Sequence, residues 1–379
     1  MNFLLDESQE LLAQTAQEFF DAHGDMDRLR RYRDEGHPTG FSWDLWREMA
    51  ELGFVAAQVP PSYGGIGMGF ADTVLIFEAA GRHLLPEPLL SNLLGVQALV
   101  LGGTESQKSA WLPRVSAGEA LVTVADRETH QPYDPQWVET RADRTESGFR
   151  LSGRKTHVLD GHVAEAIVVP ARTAGNPGDR DGITLFLVGK EAAGLRCTPL
   201  ARIDGRGAAD MEFDGVELTP DSVLGDVDGG APLLGSILDR ARVAIAAEML
   251  GAASWAMDVT IGYLKERQQF GAPIGSFQAL QHRASRMFVS VTLARSAVIG
   301  AARVLENGTD DVPRAASLAK AQAGSTLLHI AKEGIQMHGG VGATDEFDIG
   351  FYLKRGQAAE ATFGDSSWHR SRWATLGGY

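Results

Sequence analysis

Three alanine-rich stretches in the last third of the chain constrain its fold more than any other feature. They read ILDRARVAIAAEMLGAASWAMDVTIGYLKERQQF, FQALQHRASRMFVSVTLARSAVIGAARVLEN and RAASLAKAQAGSTLLHIAKEGIQMHG. In each, apolar residues recur at helical spacing well beyond the length of an average globular helix. Long alanine-rich helices of this kind suit a bundle. The block before them has a different pattern. ALVTVAD, GFRLSGRKTHVL, EAIVVPAR, GITLFLVG, LRCTPL and ADMEFDGVEL are short runs rich in Val, Thr and Phe, bounded by Gly, Asp and Pro. They predict strands of an antiparallel sheet or barrel. The first part is helical again: a segment from Asp6 to about Ala22 with Asp6 and Ser8 as capping candidates, then WDLWREMAELGF, FADTVLIFEAAGRHL, LLSNLLGVQALVLGG and ESQKSAWLPRVSAG. The predicted division is 1–118 helical, 119–226 β, and 227–379 helical bundle.

Composition narrows the function. The chain has 379 residues and a formal net charge of −14, which argues against a nucleic-acid partner. Its single cysteine, Cys197, argues against an internal disulfide or a cysteine-rich metal site and fits a reducing cytoplasm. Acidic residues stand in MNFLLDESQE where a signal peptide carries basic ones, and no uninterrupted apolar run is of membrane-spanning length. A soluble cytoplasmic protein without a metal or membrane role is the expectation.

Common catalytic motifs are missing: no G-x-S-x-G elbow, no H-E-x-x-H helix, no Cys/His cluster. The glycines of SYGGIGMGF (Ser62 to Phe70) do not fit a dinucleotide fingerprint and read as an interhelical loop. Two later stretches carry more. RQQFGAPIGSFQALQHR (Arg267 to Arg283) joins two long helices through Gly271, Pro273 and Gly275. IQMHGGVGATDEF (Ile335 to Phe347) ends a helix in paired glycines. Paired glycines let a backbone approach a phosphate or ribose closely, and arginine forks onto a pyrophosphate.

With these two motifs in a helix–sheet–helix order, the chain resembles the acyl-CoA dehydrogenase family over essentially its whole length. The resemblance implies an α+β fold, mainly α: an N-terminal helical domain, a central β-barrel domain and a C-terminal four-helix bundle. It implies FAD as cofactor, with Arg267 on the pyrophosphate, Phe270 and Gln278 at the adenosine end, and Gln336, Gly339 and Gly340 lining the adenine and ribose site. It places Asp239 and Arg242 near the CoA arm; an ion pair on a buried helix is the plainer role for both. It implies an acyl-CoA substrate, an electron-transfer flavoprotein or similar acceptor, and a homo- or hetero-tetramer whose cofactor sites are shared between subunits. The family reaction removes an α-proton with a carboxylate and the β-hydrogen as hydride, while hydrogen bonds hold the thioester oxygen.

The chain departs from that pattern where the base should be. The usual glutamate falls on Phe363 in TFGD, and the alternative position, before Arg242, is Ala241. Around the flavin, Ala125-Asp126 replaces a Thr-Glu pair, His157 stands where a Trp is usual, and Leu159 where a hydroxyl is usual. Three readings fit these departures. Asp365 serves as the base, its alternative role being a helix cap with Ser366 and Ser367 following. Or the chain is the base-deficient subunit of an α2β2 dehydrogenase, as its TFGDxxxHR and KTHVLDGH stretches resemble the bacterial subgroup that acts on steroid side-chain CoA thioesters. Or it is a flavin monooxygenase on the same fold. His369 reads as a surface helix residue or, alternatively, a proton partner.

Overall fold

The computed structural model describes residues 5–131, 133–309 and 311–379. Six helices come first: α1 (Glu7–His23), α2 (Met26–Glu35), α3 (Trp43–Glu51), α4 (Phe70–Arg82), α5 (Leu89–Gly102) and α6 (Glu105–Ser116). Strands follow: β1 (Val122–Val124), β2 (Arg141–Arg144), β3 (Phe149–Leu159), β4 (Ala166–Arg172), β5 (Ile183–Gly189), β6 (Leu195–Pro199), β7 (Ala208–Leu218) and β8 (Val223–Leu224). The last part holds α7 (Ala231–Glu266), α8 (Gln278–Asn307), α9 (Val312–His338), α10 (Ile349–Glu360) and α11 (Ser366–Leu376).

In space these elements form two compact units, and the division does not follow chain order. One comprises residues up to Arg30, Phe70–Leu85 and Arg242–Tyr379; the other comprises Arg31–Gly69 and Pro86–Ala241. Helices α1 and α4 thus join the bundle. The reason lies in α4, FADTVLIFEAAGR, which buries residues on nearly every side and needs partners all round. It packs on α1 and α8, and it crosses α7 at two glycines. A Cβ on Gly251 would lie 1.9 Å from the Glu78 carbonyl oxygen, and one on Gly81 would lie 2.0 Å from that of Glu248. Only hydrogen at both positions allows backbones this close. Near the crossing, Arg355 of α10 donates to Glu248 at 3.1 Å and to the Leu84 carbonyl at 3.2 Å, with both charged side chains buried. Trp255 of α7 stacks on Tyr352 of α10 with centroids 4.0 Å apart.

The other unit is built on one sheet in the order β6-β7-β3-β2-β4-β5-β8, with β1 added in parallel to β4. The sheet curls around a single core. Phe149 on β3 and Phe186 on β5 are not on neighbouring strands, yet their rings meet at 5.0 Å. Its two ends, β6 and β8, are not hydrogen-bonded to each other, so the barrel expected from the sequence is an open one. A buried ion pair pins the loop before β2: Lys155 Nζ lies 2.6 Å from Glu128, whose carboxylate also accepts the N–H groups of Glu139 and Thr140. Burial pushes the Glu128 carboxyl up, but the charge of Lys155 and these hydrogen bonds outweigh it and leave it below its ordinary value.

By length and mean hydropathy, both α7 and α8 are apolar enough to cross a membrane. Alanine-rich bundle helices reach such values without lipid, and 78% of the apolar window of α7 is buried in its own fold. That of α8 is only 39% buried. Phe288, Val289 and Leu293 stand exposed on it.

The crossing can be tested within α7. Gly251→Ala forces α4 and α7 apart and is expected to cost roughly 1–3 kcal/mol, read as a lower urea midpoint with unchanged slope. Gly262→Ala on the same helix, where an added Cβ meets nothing within 4 Å, is expected to be neutral or mildly stabilising.

Candidate active site

The segment between α10 and α11, where TFGD stands, is gripped by three cationic or polar side chains from three helices. Phe363 adopts φ +58°, a left-handed conformation unusual for a bulky residue. Its side chain is buried and its carbonyl is turned toward α7 and α11. There it accepts from Arg242 Nε at 3.1 Å and from His369 Nε2 at 3.1 Å. Lys320 of α9 donates to the Gly364 carbonyl at 2.9 Å and to that of Glu360 at 3.2 Å. The last carbonyls of a helix have no partner within it; at the end of α10, buried donors supply them.

The start of α11 is capped twice by carboxylates. Asp365 Oδ1 accepts the Trp368 N–H at 2.7 Å, and Glu360 Oε1 accepts that of Ser366 at 2.7 Å. Asp365 therefore sits where the helix-cap reading of the sequence puts it, with one carboxylate oxygen engaged by backbone. Ala241, the other candidate base position, is fully buried. Asp239 and Arg242 are both buried on α7; Arg242 lies over the Trp368 ring at 5.2 Å besides holding Phe363.

His369 is not a surface residue. It has no exposed area, because the loop it holds and the indole of Trp368 close over it. Burial, and then the charges of Arg242, Lys320 and Arg372, push its imidazole down to about 2, so it is neutral at any ordinary pH. Burial also lowers the Lys320 ammonium to about 8, partly opposed by Glu360. Lys320 escaped the sequence reading; the one signal for it was a single charge inside the small apolar run AASLAKAQAG.

The expected cofactor residues gather at one end of the α8–α9 pair. The two helices run side by side, and Arg283 near the start of α8 pairs with Glu333 near the end of α9. Gln278 begins α8, and Gln336, Gly339 and Gly340 end α9, so both motifs share that end. All six side chains or glycines, Arg267 and Phe270 included, are exposed. Phe270 is 93% exposed with φ +56°, an unfavourable placement for an aromatic, and its ring meets that of Phe277 edge-on at 6.1 Å. Gly339 has φ +66°, and a Cβ built on Gly339 or Gly340 meets nothing within 4 Å. Just behind them His338 is buried between Tyr263 and Phe347, its Nδ1 on the Gly334 carbonyl and its Nε2 without a partner among the described residues. Open glycine backbone, an arginine fork, an uncovered aromatic and an unfilled buried acceptor together suit the adenosine and pyrophosphate end of a dinucleotide.

The residues expected beside the flavin ring lie in the other unit and offer little side-chain polarity. Ala125 is fully buried, with its N–H on the Val168 carbonyl at 2.9 Å, and Leu159 is buried. His157 is exposed at φ +54°, its own N–H bound to Asp210 at 3.1 Å. Asp126 is half-buried.

The chain matches the acyl-CoA dehydrogenase N-terminal domain over residues 6–119, the middle domain over 127–216 and the C-terminal domain over 228–375. It is 30% identical to the mitochondrial isovaleryl-CoA dehydrogenase of Solanum tuberosum across 97% of this chain and 90% of that one. Among solved structures it resembles a Tcur3481-Tcur3483 steroid ACAD variant, with TM-score 0.88, 31% identity and 98% of both chains covered. It also resembles the ChsE4-ChsE5 complex from Mycobacterium tuberculosis, with TM-score 0.89, 26% identity, and 100% and 99% covered. Fold and motifs together define a flavoprotein oxidoreductase that uses FAD and acts on acyl-CoA. The chain belongs to the acyl-CoA dehydrogenase family.

The neutral His369 has a consequence for pH. Unfolded, its imidazole takes a proton near the ordinary value of 6.5; folded, it resists protonation down to about 2. The unfolded state therefore binds more protons below pH 6.5, and stability falls as pH falls, by up to about 1.4 kcal/mol per unit. Between pH 6 and 4 the native chain is expected to lose roughly 2 kcal/mol more than His369→Gln, measured by urea denaturation at each pH.

Proposed function

We propose that this chain is the base-deficient subunit of a hetero-oligomeric, FAD-dependent acyl-CoA dehydrogenase acting on a bulky acyl group. The observation that carries the reading is the state of the three positions open to a base. Position 363 is a buried phenylalanine, position 241 a buried alanine, and Asp365 caps α11. A partner of the same family contributes the carboxylate that removes the α-proton. The exposed apolar face of α8 and the uncovered Phe270 and Phe277 supply a surface on which such a partner closes the shared cofactor site. Two solved relatives, the Tcur3481-Tcur3483 steroid ACAD and the ChsE4-ChsE5 complex, each pair two differently named chains, which supports both the hetero-oligomer and a bulky substrate.

Within this chain, Arg267 forks onto the pyrophosphate, Phe270 and Gln278 bind at the adenosine end, and Gln336, Gly339 and Gly340 line the adenine and ribose. FAD, when bound, supplies the hydride acceptor, and an electron-transfer flavoprotein or similar acceptor receives the electrons. The cationic grip on Phe363 and Gly364 keeps the α10–α11 connection in one conformation.

Anaerobic titration with acyl-CoA thioesters, including bulky ones, tests the reading through bleaching of the flavin band. The isolated chain is expected to show none, and co-expression with a homologous subunit to restore it. Asp365→Asn is the informative variant, because asparagine caps a helix as well as aspartate but cannot take a proton. In the complex it should leave bleaching rates within about twofold. Bleaching by the isolated chain that Asp365→Asn abolishes would instead make Asp365 the base.

A further inference from the structure

The turn that follows β3 buries a carboxyl group without a counter-charge. Asp160 is 6% exposed, and its Oδ2 lies 2.6 Å from the hydroxyl of Ser91 in the first turn of α5. Among the described residues no other group donates to that carboxyl, and no cation is paired with it. The elements around it bring little charge. α5 and β1 carry none, and β7 sets Ala208 and Ala209 opposite the end of β3. In the β6–β7 loop Arg202 is paired with Asp204, and Arg206 acts on Asp160 only through its field. His162, two residues on, has its Nε2 on the Thr39 carbonyl at 3.3 Å. An ionised carboxylate is costly to bury unpaired, and such a group takes up a proton instead.

Ser91 supplies a second, geometric argument. Its Oγ lies 3.1 Å from the Pro88 carbonyl as well as 2.6 Å from Asp160, and a hydroxyl has one hydrogen to give. An ionised Asp160 leaves one of these contacts unmade. A protonated Asp160 donates to Oγ, and Ser91 donates onward to Pro88, so both contacts are satisfied. The backbone nearby is held out of its ordinary range: His157 and Asp160 have φ +54° and +50°, and the β3–β7 register shifts between Lys155 and Val158. Such conformations persist only where neighbours fix them. Here the Thr123 hydroxyl donates to the Leu159 carbonyl at 2.9 Å and the Asp160 N–H to that of Gly207 at 3.1 Å.

We propose that Asp160 is a positioning residue: a neutral carboxylic acid that latches the end of β3 to α5 through Ser91, and whose ionisation loosens the stretch His157–Leu159. That stretch lies beside the flavin ring in the FAD placement proposed above, so the effect on flavin rests on that reading, whereas the latch itself does not. Burial pushes the Asp160 carboxyl above its ordinary value of 3.8, against the opposing effects of Ser91, Arg206, His162 and Arg202. The folded chain therefore keeps a proton that the unfolded chain releases. The contribution of this group to stability is complete at low pH and is lost as pH rises, opposite in sign to that of His369.

Asp160→Asn is the informative variant, because asparagine keeps the shape and a donor for Ser91 but has no proton to lose. Infrared spectra of the full chain at about pH 7 should show a protonated-carboxyl band that Asp160→Asn removes and Ser91→Ala moves to higher frequency. In urea denaturation, the unfolding constant of the native chain should rise relative to that of Asp160→Asn as pH increases from about 5, by up to tenfold per unit. With FAD bound, the visible flavin band should shift over the same range in the native chain and stay fixed in Asp160→Asn. A carboxyl band unchanged in Asp160→Asn, or a variant that loses stability at neutral pH with the native pH slope, would overturn the neutral acid. Flavin bands that respond alike to pH in both chains would overturn the positioning role.

Discussion

The grip on three consecutive-turn carbonyls, those of Glu360, Phe363 and Gly364, is the interaction on which the candidate site depends. Lys320, Arg242 and His369 reach it from α9, α7 and α11, so the connection between α10 and α11 is over-determined from three directions. Left-handed backbone at a phenylalanine is costly, and it persists only where surroundings hold it. Two buried cations could not be placed together here without those carbonyl oxygens, which solvate them in place of water. The same crowding of positive charge explains why His369 is neutral. A loop held this firmly, with phenylalanine at its turning point, keeps one conformation with no proton-accepting side chain at position 363.

The uncovered surface has the opposite character. α7 is enclosed, whereas α8 presents Phe288, Val289 and Leu293 outward, and Phe270 stands at the tip of the connection before it. Single exposed apolar residues are ordinary, but a row of them along one helix is less so. The exposed residues expected to hold FAD lie at the end of that same helix pair. The exposed glycines and Phe270 and the exposed apolar residues of α8 thus lie on one helix pair and its connection.

Much of this was legible in the chain. Helical periodicity marked α7, α8 and α9 because long apolar stripes repeat often enough to be unmistakable, and Val-, Thr- and Phe-rich runs bounded by Gly, Asp and Pro marked β3, β4, β5 and β7. Asp6 as a cap of α1 and Asp365 as a candidate cap of α11 follow from local chemistry alone, and both cap. Short polar elements were lost: β2 is Arg-Ala-Asp-Arg, with no apolar pattern, and α2 carries hardly any buried residue. Strand β2 forms because β3 and β4 flank it and complete its hydrogen bonds, which no local signal announces.

The sequence by itself determined the family, the helical–β–helical order, and the residues, Phe363 and Ala241, at the two positions where the resemblance expects a base, since each is written in residue type and spacing. Tertiary structure decided the rest. It moved α4 into the bundle, because a helix apolar on all sides must be surrounded, and two glycines let it approach α7. It turned His369 from an apparent surface residue into a buried neutral one, and an unremarked Lys320 into the clamp of the TFGD segment. Burial and charge neighbours arise only when distant segments meet, and ionisation follows from them rather than from residue type.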